Sequence, residues 1–345
     1  MALTSTERLV GLRDCLLTQV DTADLEAVRA PASRPGGGFV LVGEDALTGA
    51  VELVRTEPAY PVLADRRRYA GKRRARGTAR FRPSWVEAQR HLGLPLVLTD
   101  SGYVGDDDAE ALDAILGQSA RLGQDVLATL PLHISWVERK QNRERLVKTI
   151  NEAAVPVAFV LEHERDPLGS KKTLIGFVTV LQNLDRPAML LSCDVSALGA
   201  LAFGAFTTAV GARPGLRHLY PRSGGGPADD MESAFLPDFL AFIKVGKIAQ
   251  AVAADPQDPK WACACQTCQG QRVDWLLNAT RSQVRNHSIE LVADLRDQLS
   301  QLASGPLRQQ AWRAWCASAQ FQHNSLEANN IFWETPPAIR RWQEV

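Results

Sequence analysis

Short apolar runs alternate with amphipathic stretches along most of this chain. Residues 38–43 (GFVLVG), 94–99 (LPLVLT), 125–130 (DVLATL), 156–161 (PVAFVL) and 188–193 (AMLLSC) are rich in Val, Leu and Phe and nearly free of charge. Runs of that length and continuity are the pattern of strands buried on both faces. Between them, residues 107–123 and 136–154 carry apolar positions at helical spacing among Glu, Lys and Arg, which predicts surface helices. Strands alternating with helices predict a parallel sheet, either a (β/α)8 barrel or a doubly wound sheet.

The residues that end these runs favour the barrel. Asp100-Ser101-Gly102, Pro131-Leu132-His133, Glu162-His163 and Asp194 stand at the ends of successive runs. Parallel barrels build their active sites from such positions. Any one of these residues is equally at home as a helix cap or loop residue; four in register are harder to reduce to capping. The expected organisation is an N-terminal helical segment (1–35), a barrel (36–255) and a zinc-binding helical subdomain with C-terminal helices (256–345). The last begins where the composition shifts to PQDPKWACACQTCQG and then to helical patterns over 273–303 and 308–321.

Charge narrows the partners. The 345 residues hold 39 basic and 39 acidic side chains, so any attraction for a polyanion has to be local. Residues 66–82 supply it: Arg66, Arg67, Arg68, Lys72, Arg73, Arg74, Arg76, Arg80 and Arg82, interleaved with Tyr69 and Phe81 and followed by Trp85. Such a segment can neutralise phosphates and stack on unpaired bases, or serve as a solvated loop. Arg217-His218 could add an anion contact or cap a strand. The uncharged stretch 195–212 is diluted by Gly, Ser, Thr and Ala, and reads as a buried strand with its flanking turn or helix, not a membrane span. The start of the chain lacks the features of a secretory signal, and a cytoplasmic protein is expected.

Three of six cysteines fall within six residues, a spacing suited to a metal and not to disulfides. Cys263, Cys265 and Cys268 offer three thiolates, and His287, nineteen residues beyond Cys268 within a predicted helix, is the nearest fourth donor. Four protein ligands would close the site, making a zinc ion structural. Cys15, Cys193 and Cys316 sit among apolar residues and read as inert buried thiols.

The segment CACQTC followed by HSIELVADL resembles the zinc site of the tRNA-guanine transglycosylases, C-x-C-x-x-C with a downstream helical histidine. LPLVLTDSGYV similarly resembles that family's strand-ending LTDSGGFQV, which supplies an active-site aspartate; here it would be Asp100. The resemblance implies a (β/α)8 barrel with a zinc-containing insertion and exchange of guanine in tRNA or DNA for a 7-deazaguanine base. It is compatible with a homodimer or heterodimer without naming the oligomeric state, and the superfamily includes a noncatalytic accessory subunit. On this reading Asp100 is the acid/base, Asp194 (in preference to Asp238) the nucleophile, and Ser101, Gly102, Glu162, His163, Arg73 and Arg74 contact substrate.

The sequence departs from the family in places that bear on activity. Pro131 or Leu132, with His133 nearby, stands where an acidic base-reading residue is expected. Glu162-His163 replaces a glutamine-glycine pair, the nucleophile's phenylalanine-aspartate strand has no clear counterpart, and the gap from Cys268 to His287 is shorter. These departures favour the rival reading, a noncatalytic zinc-containing subunit that binds nucleic acid or a catalytic partner.

Overall fold

The computed structural model describes residues 9–222, 232–328 and 333–345. Eight parallel strands carry the fold: β1 (Cys15–Asp21), β2 (Phe39–Val42), β3 (Val62–Asp65), β4 (Val97–Leu98), β5 (Val126–His133), β6 (Val157–Glu162), β7 (Ala188–Cys193) and β8 (Thr207–Gly211). Their hydrogen-bonded order, β3-β2-β1-β8-β7-β6-β5-β4, curls the sheet into a nearly closed (β/α)8 barrel. Helices Ala46–Thr56, Pro83–His91, Ala109–Leu122, Lys140–Ala153, Lys171–Gln182 and Ser196–Ala202 follow β2 to β7 in turn. The helix expected over 107–123 is present as Ala109–Leu122, and the one expected over 136–154 is broken at extended Arg139 into Ser135–Glu138 and Lys140–Ala153.

Side chains alternate between two apolar environments. Leu17, Val40, Leu63, Leu98, Leu127, Val160, Met189 and Leu191 fill the barrel interior, while Phe39, Leu41, Leu130, Phe159 and Leu190 pack against the helices. A strand buried on both faces reads as a continuous apolar run for this reason. The same two-residue period turns the polar residues at the strand ends inward: Asp65 shares the parity of Leu63, Asp100 that of Leu98, and Glu162 that of Val160.

Two of the barrel strands lie outside the expected set. Cys15–Asp21, expected within an N-terminal helical segment, is the first barrel strand; Thr18 and Gln19 interrupt its apolar run. Gln19 Nε2 donates to Ser192 Oγ at 3.0 Å, and Ser192 N donates to Gln19 Oε1 at 2.7 Å, so these interior polar atoms are paired. The four residues of β3 are too short to stand out in the sequence.

Between β3 and β4 the ladder is not closed. The buried side chain of Gln89 lies at this seam: its Nε2 donates to Leu98 O at 3.0 Å, and Leu98 N donates to its Oε1 at 3.0 Å. One primary amide thus gives β4 the donor and acceptor that a neighbouring strand would supply. Trp85 Nε1 donates to the same carbonyl at 3.0 Å.

After β8 the chain leaves the barrel for an antiparallel hairpin, β9 (Ser233–Leu236) and β10 (Ala241–Lys244), the helix Val245–Ala254 and a cysteine-bearing turn. It returns in Arg281–Ser300, whose Ile289, Val292, Leu295 and Leu299 join the barrel's outer core. A capping box of Thr280 and Gln283 starts this helix. It packs on β1, on the segment after β1 and on Ser196–Ala202, the place of the eighth barrel helix. The subdomain expected over 256–345 is therefore an insertion beginning after β8, and its first long helix belongs to the barrel. Pro306–Ala328 and Pro337–Trp342 complete the described chain. No helix among the described residues is long and apolar enough to cross a membrane.

Candidate functional site

Cys263, Cys265, Cys268 and His287 are all buried, and one ligand atom from each lies within 4.8 Å of the others. His287 Nδ1 stands 3.7, 3.4 and 3.2 Å from the three sulfurs. A tetrahedral ion with metal–sulfur bonds of about 2.3 Å and metal–nitrogen bonds of about 2.0 Å requires separations of roughly 3.5 Å, so this donor set fits. The other ring nitrogen, Nε2, lies 3.0 Å from Phe235 O on β9. Donation to that carbonyl leaves Nδ1 as the free lone pair facing the sulfurs. The turn is shaped by Gln269 N donating to Cys265 O and Gly270 N to Cys263 O, both at 2.8 Å, with Gln269 and Gly270 at positive φ. These four residues could hold one metal ion.

At the C-terminal mouth of the barrel, residues 66–82 divide into two sets. Arg68 Nη1 donates to Asp100 Oδ2 at 2.7 Å, and Arg82 N donates to Asp100 Oδ1 at 3.0 Å, which encloses the Asp100 side chain. Arg74 pairs with Glu162 and lies 3.5 Å over the Tyr103 ring, while the Tyr103 hydroxyl also donates to Glu162. Asp65 accepts from Tyr69 Oη and from Arg67 N; burial raises its pKa. Lys72, Arg73, Arg76, Arg80 and Arg82 point outward and are exposed. The predicted patch is thus an inner set neutralising the mouth and an outer set facing solvent.

The loop is built into the barrel. Tyr103 N donates to Ala75 O and Gly77 N to Tyr103 O, each at 2.9 Å. A Cβ at Gly102 would meet Arg76 O at 1.9 Å, so glycine here serves backbone approach within the protein. Ser101 Oγ is buried 2.8 Å from Thr99 Oγ1. His163 Nδ1 accepts from Arg165 N at 3.0 Å. His133 lies 2.9 Å from Ser135 Oγ and 3.9 Å from Asp106.

Asp194 stands elsewhere on the same face. It follows β7 and lines a cavity of about 250 Å³ with Asp166, Arg217, His218 and Tyr220 at one side and Phe242, Trp312 and Trp342 among its walls. Asp194 Oδ1 accepts from Ser196 N at 2.8 Å. Burial raises the Asp194 pKa against the opposing pull of the Ser196 amide and the Arg217 charge. Asp166 is pushed well above the usual carboxylate range by burial and then by the negative charge of Asp194. Burial lowers Arg217 to about 10, and burial together with neighbouring His163 lowers His218 to about 4. Asp238, the other nucleophile candidate, is exposed on the turn between β9 and β10, beside Lys260 and the metal-ligand cluster.

Sequence reasoning missed Asp65 and Asp166. Asp65 had the signal of its neighbours, an acid ending an apolar run, but its run is VLA. Asp166 lies in the loop after β6 as the cap of a short turn, and nothing in its local sequence separates it from an ordinary Asp-Pro turn.

No protein-family model matches the sequence, and no curated protein matches it. Among solved structures, a mutant tryptophan synthase alpha-subunit from Pyrococcus furiosus is 12% identical with a TM-score of 0.38, over 58% of this chain and 88% of that one. A 2,3-dimethylmalate lyase of the PEP mutase/isocitrate lyase superfamily is 13% identical with a TM-score of 0.36, over 61% and 81%. A type I 3-dehydroquinate dehydratase from Clostridium difficile is 11% identical with a TM-score of 0.38, over 60% and 88%. Likenesses this distant transfer no function.

Proposed function

We propose that this chain is a base-exchange transglycosylase, replacing guanine in a nucleic acid, DNA or tRNA, with a 7-deazaguanine derivative. The observation that carries the reading is Asp194, a carboxylate at the end of a barrel strand that faces a cavity on the catalytic face of the fold. The Cys263, Cys265, Cys268 and His287 quartet, with zinc as its ion, and the TDSG strand end support it, occurring on one barrel in the order the resemblance implies. Zinc in such a closed site stabilises the fold and takes no part in the chemistry.

In this mechanism the Asp194 carboxylate attacks C1′ of an extruded nucleotide. A C–O ester bond forms as the C1′–N bond breaks, and guanine leaves with the bonding electrons and a proton from the acid. The incoming base then attacks C1′, the ester breaks, and the base's N–H proton goes to the same group. Asp100 is the acid in this assignment, and Arg68 has to release it for that role. The outer cations Lys72, Arg73, Arg76, Arg80 and Arg82 supply contacts to phosphates.

The test is exchange of labelled guanine into tRNA and into DNA, with denaturing gels to trap the covalent adduct. Wild type should form an adduct that Asp194→Asn loses while keeping its metal; an undiminished adduct in that variant would remove Asp194 from the mechanism. One observation favours the second reading, a noncatalytic binding subunit: Asp65, Asp100 and Glu162 are all engaged by residues 67–82 and Tyr103. Nucleic-acid binding without exchange on either polymer would select it.

A further inference from the structure

The ladder between β7 and β8 gains one residue. Met189 pairs with Thr207 and Leu190 with Thr208, but Cys193 pairs with Val210, three steps on β7 against two on β8. Met189 and Leu191 lie in the barrel interior and Leu190 against the helices, yet Cys193 also joins the helix side. Residues three apart on an unbroken strand face opposite ways, so the extra residue has reversed the phase. It is Ser192, whose φ of +51° is left-handed and uncommon for any residue but glycine. Asp194 stands four residues after Leu190. On a regular strand it would share that residue's direction toward the helix layer; after the bulge it leaves β7 in the opposite phase and lines the cavity.

A bulged residue drops out of the ladder, and its backbone needs another partner. Gln19 on β1 provides it: Ser192 N donates to Gln19 Oε1 at 2.7 Å while Gln19 Nε2 donates to Ser192 Oγ at 3.0 Å. That hydroxyl is in turn hydrogen-bonded to Tyr69, whose own Oη donates to Asp65. Gln19, Ser192, Tyr69 and Asp65 are all buried, and they form a polar chain across the barrel from β1 through β7 to the end of β3. Polar groups in an interior carry a desolvation cost that apolar filling avoids, so this chain calls for a role. We propose that Gln19 and Tyr69 are positioning residues for Asp194: by fixing Ser192 in the left-handed bulge, they set the direction in which the carboxylate leaves the strand. Neither touches the reacting atoms. The inference rests on the proposed function for what Asp194 does, and on the bulge alone for how it is aimed.

The aim of Asp194 can be read without turnover, from its carboxyl carbon NMR signal in the aspartate-labelled full chain, assigned as the one that Asp194→Asn removes. Gln19→Leu takes both bonds from Ser192, and Tyr69→Phe deletes one hydroxyl while keeping the ring. The first should displace the signal and its titration midpoint strongly, the second less. Ser192→Gly tests the device from the other side, because glycine enters the left-handed region freely. Alone it should leave the signal near its wild-type place, and in the Gln19→Leu background it should bring the signal back. Val160→Ala, which opens a cavity elsewhere in the same interior, is the control for lost stability: it should lower the melting temperature and leave the Asp194 signal in place. In the exchange assay Gln19→Leu should slow adduct formation by ~10²-fold with KM little changed, the cost of misplacing a reacting group by about 1 Å, and Ser192→Gly should restore much of it. If Gln19→Leu does not fold, Tyr69→Phe and its combination with Ser192→Gly carry the test. An Asp194 signal unmoved by Gln19→Leu and Tyr69→Phe, moved equally by Val160→Ala, or not brought back by Ser192→Gly overturns the inference. Wild type that exchanges no base sinks the proposed function and leaves the carboxyl signal to decide the positioning.

Discussion

Adjacent arginines in a basic run can do opposite work. Arg73 is exposed, while Arg74 reaches back to a Glu162 that is 6% exposed in its side chain. Removing one partner of a buried ion pair typically costs ~3–5 kcal/mol because the other charge is left uncompensated, whereas an exposed cation carries little stability. Arg74→Ala should therefore lower the melting temperature clearly, and Glu162→Gln in that background should recover part of the loss. Arg73→Ala with Arg76→Ala should leave melting unchanged and reduce the salt dependence of nucleic-acid affinity by about one unit of slope per lost phosphate contact. An unchanged slope returns the outer set to a solvated loop. Sequence alone showed the density of charge but not this division, because whether a loop arginine points inward depends on strand ends brought beside it from elsewhere in the chain. The Cys3His quartet that could hold a metal was legible for the opposite reason: three of its members lie within six residues, and only His287 had to be supplied by folding.

At the scale of elements, the runs that read most clearly as strands were those buried on both faces. β1 was hidden because two of its positions are polar where the interior is paired through Gln19 and Ser192, and β3 because it is only four residues long. The parity of each strand end fixes which acids point inward, so the register of Asp100 and Glu162 was implicit once their strands were placed. The role of Gln89 was not implicit, since a helical glutamine gives no sign that it substitutes for a strand. Gln89→Leu should cost about 1–3 kcal/mol by leaving the Leu98 amide buried without a partner, although Trp85 still satisfies the carbonyl. Denaturant unfolding measures the loss, and hydrogen exchange should report it first at β4. A variant as stable as wild type would mean that the seam closes by other contacts.

On the scale of the whole molecule, the metal-ligand quartet spans two bodies: three cysteines from the insertion and a histidine from the eighth barrel helix. A metal held there stabilises the association of the two, not just a local turn. Cys265→Ala or a strong chelator should lower the melting temperature and raise proteolysis within the insertion, with one equivalent of zinc released from wild type. Purified protein lacking a stoichiometric metal, or indifferent to chelation, would contradict this. The linkage extends further than the ligands. His287 holds Phe235 of β9 by its carbonyl, β9 pairs with β10, and Leu240, Ala241 and Phe242 at the start of β10 form part of the cavity wall beside Asp194. Mechanically this is a rivet, a short lever and a jaw: play at the metal end is passed along two strands to the side of the chamber where a ligand would sit.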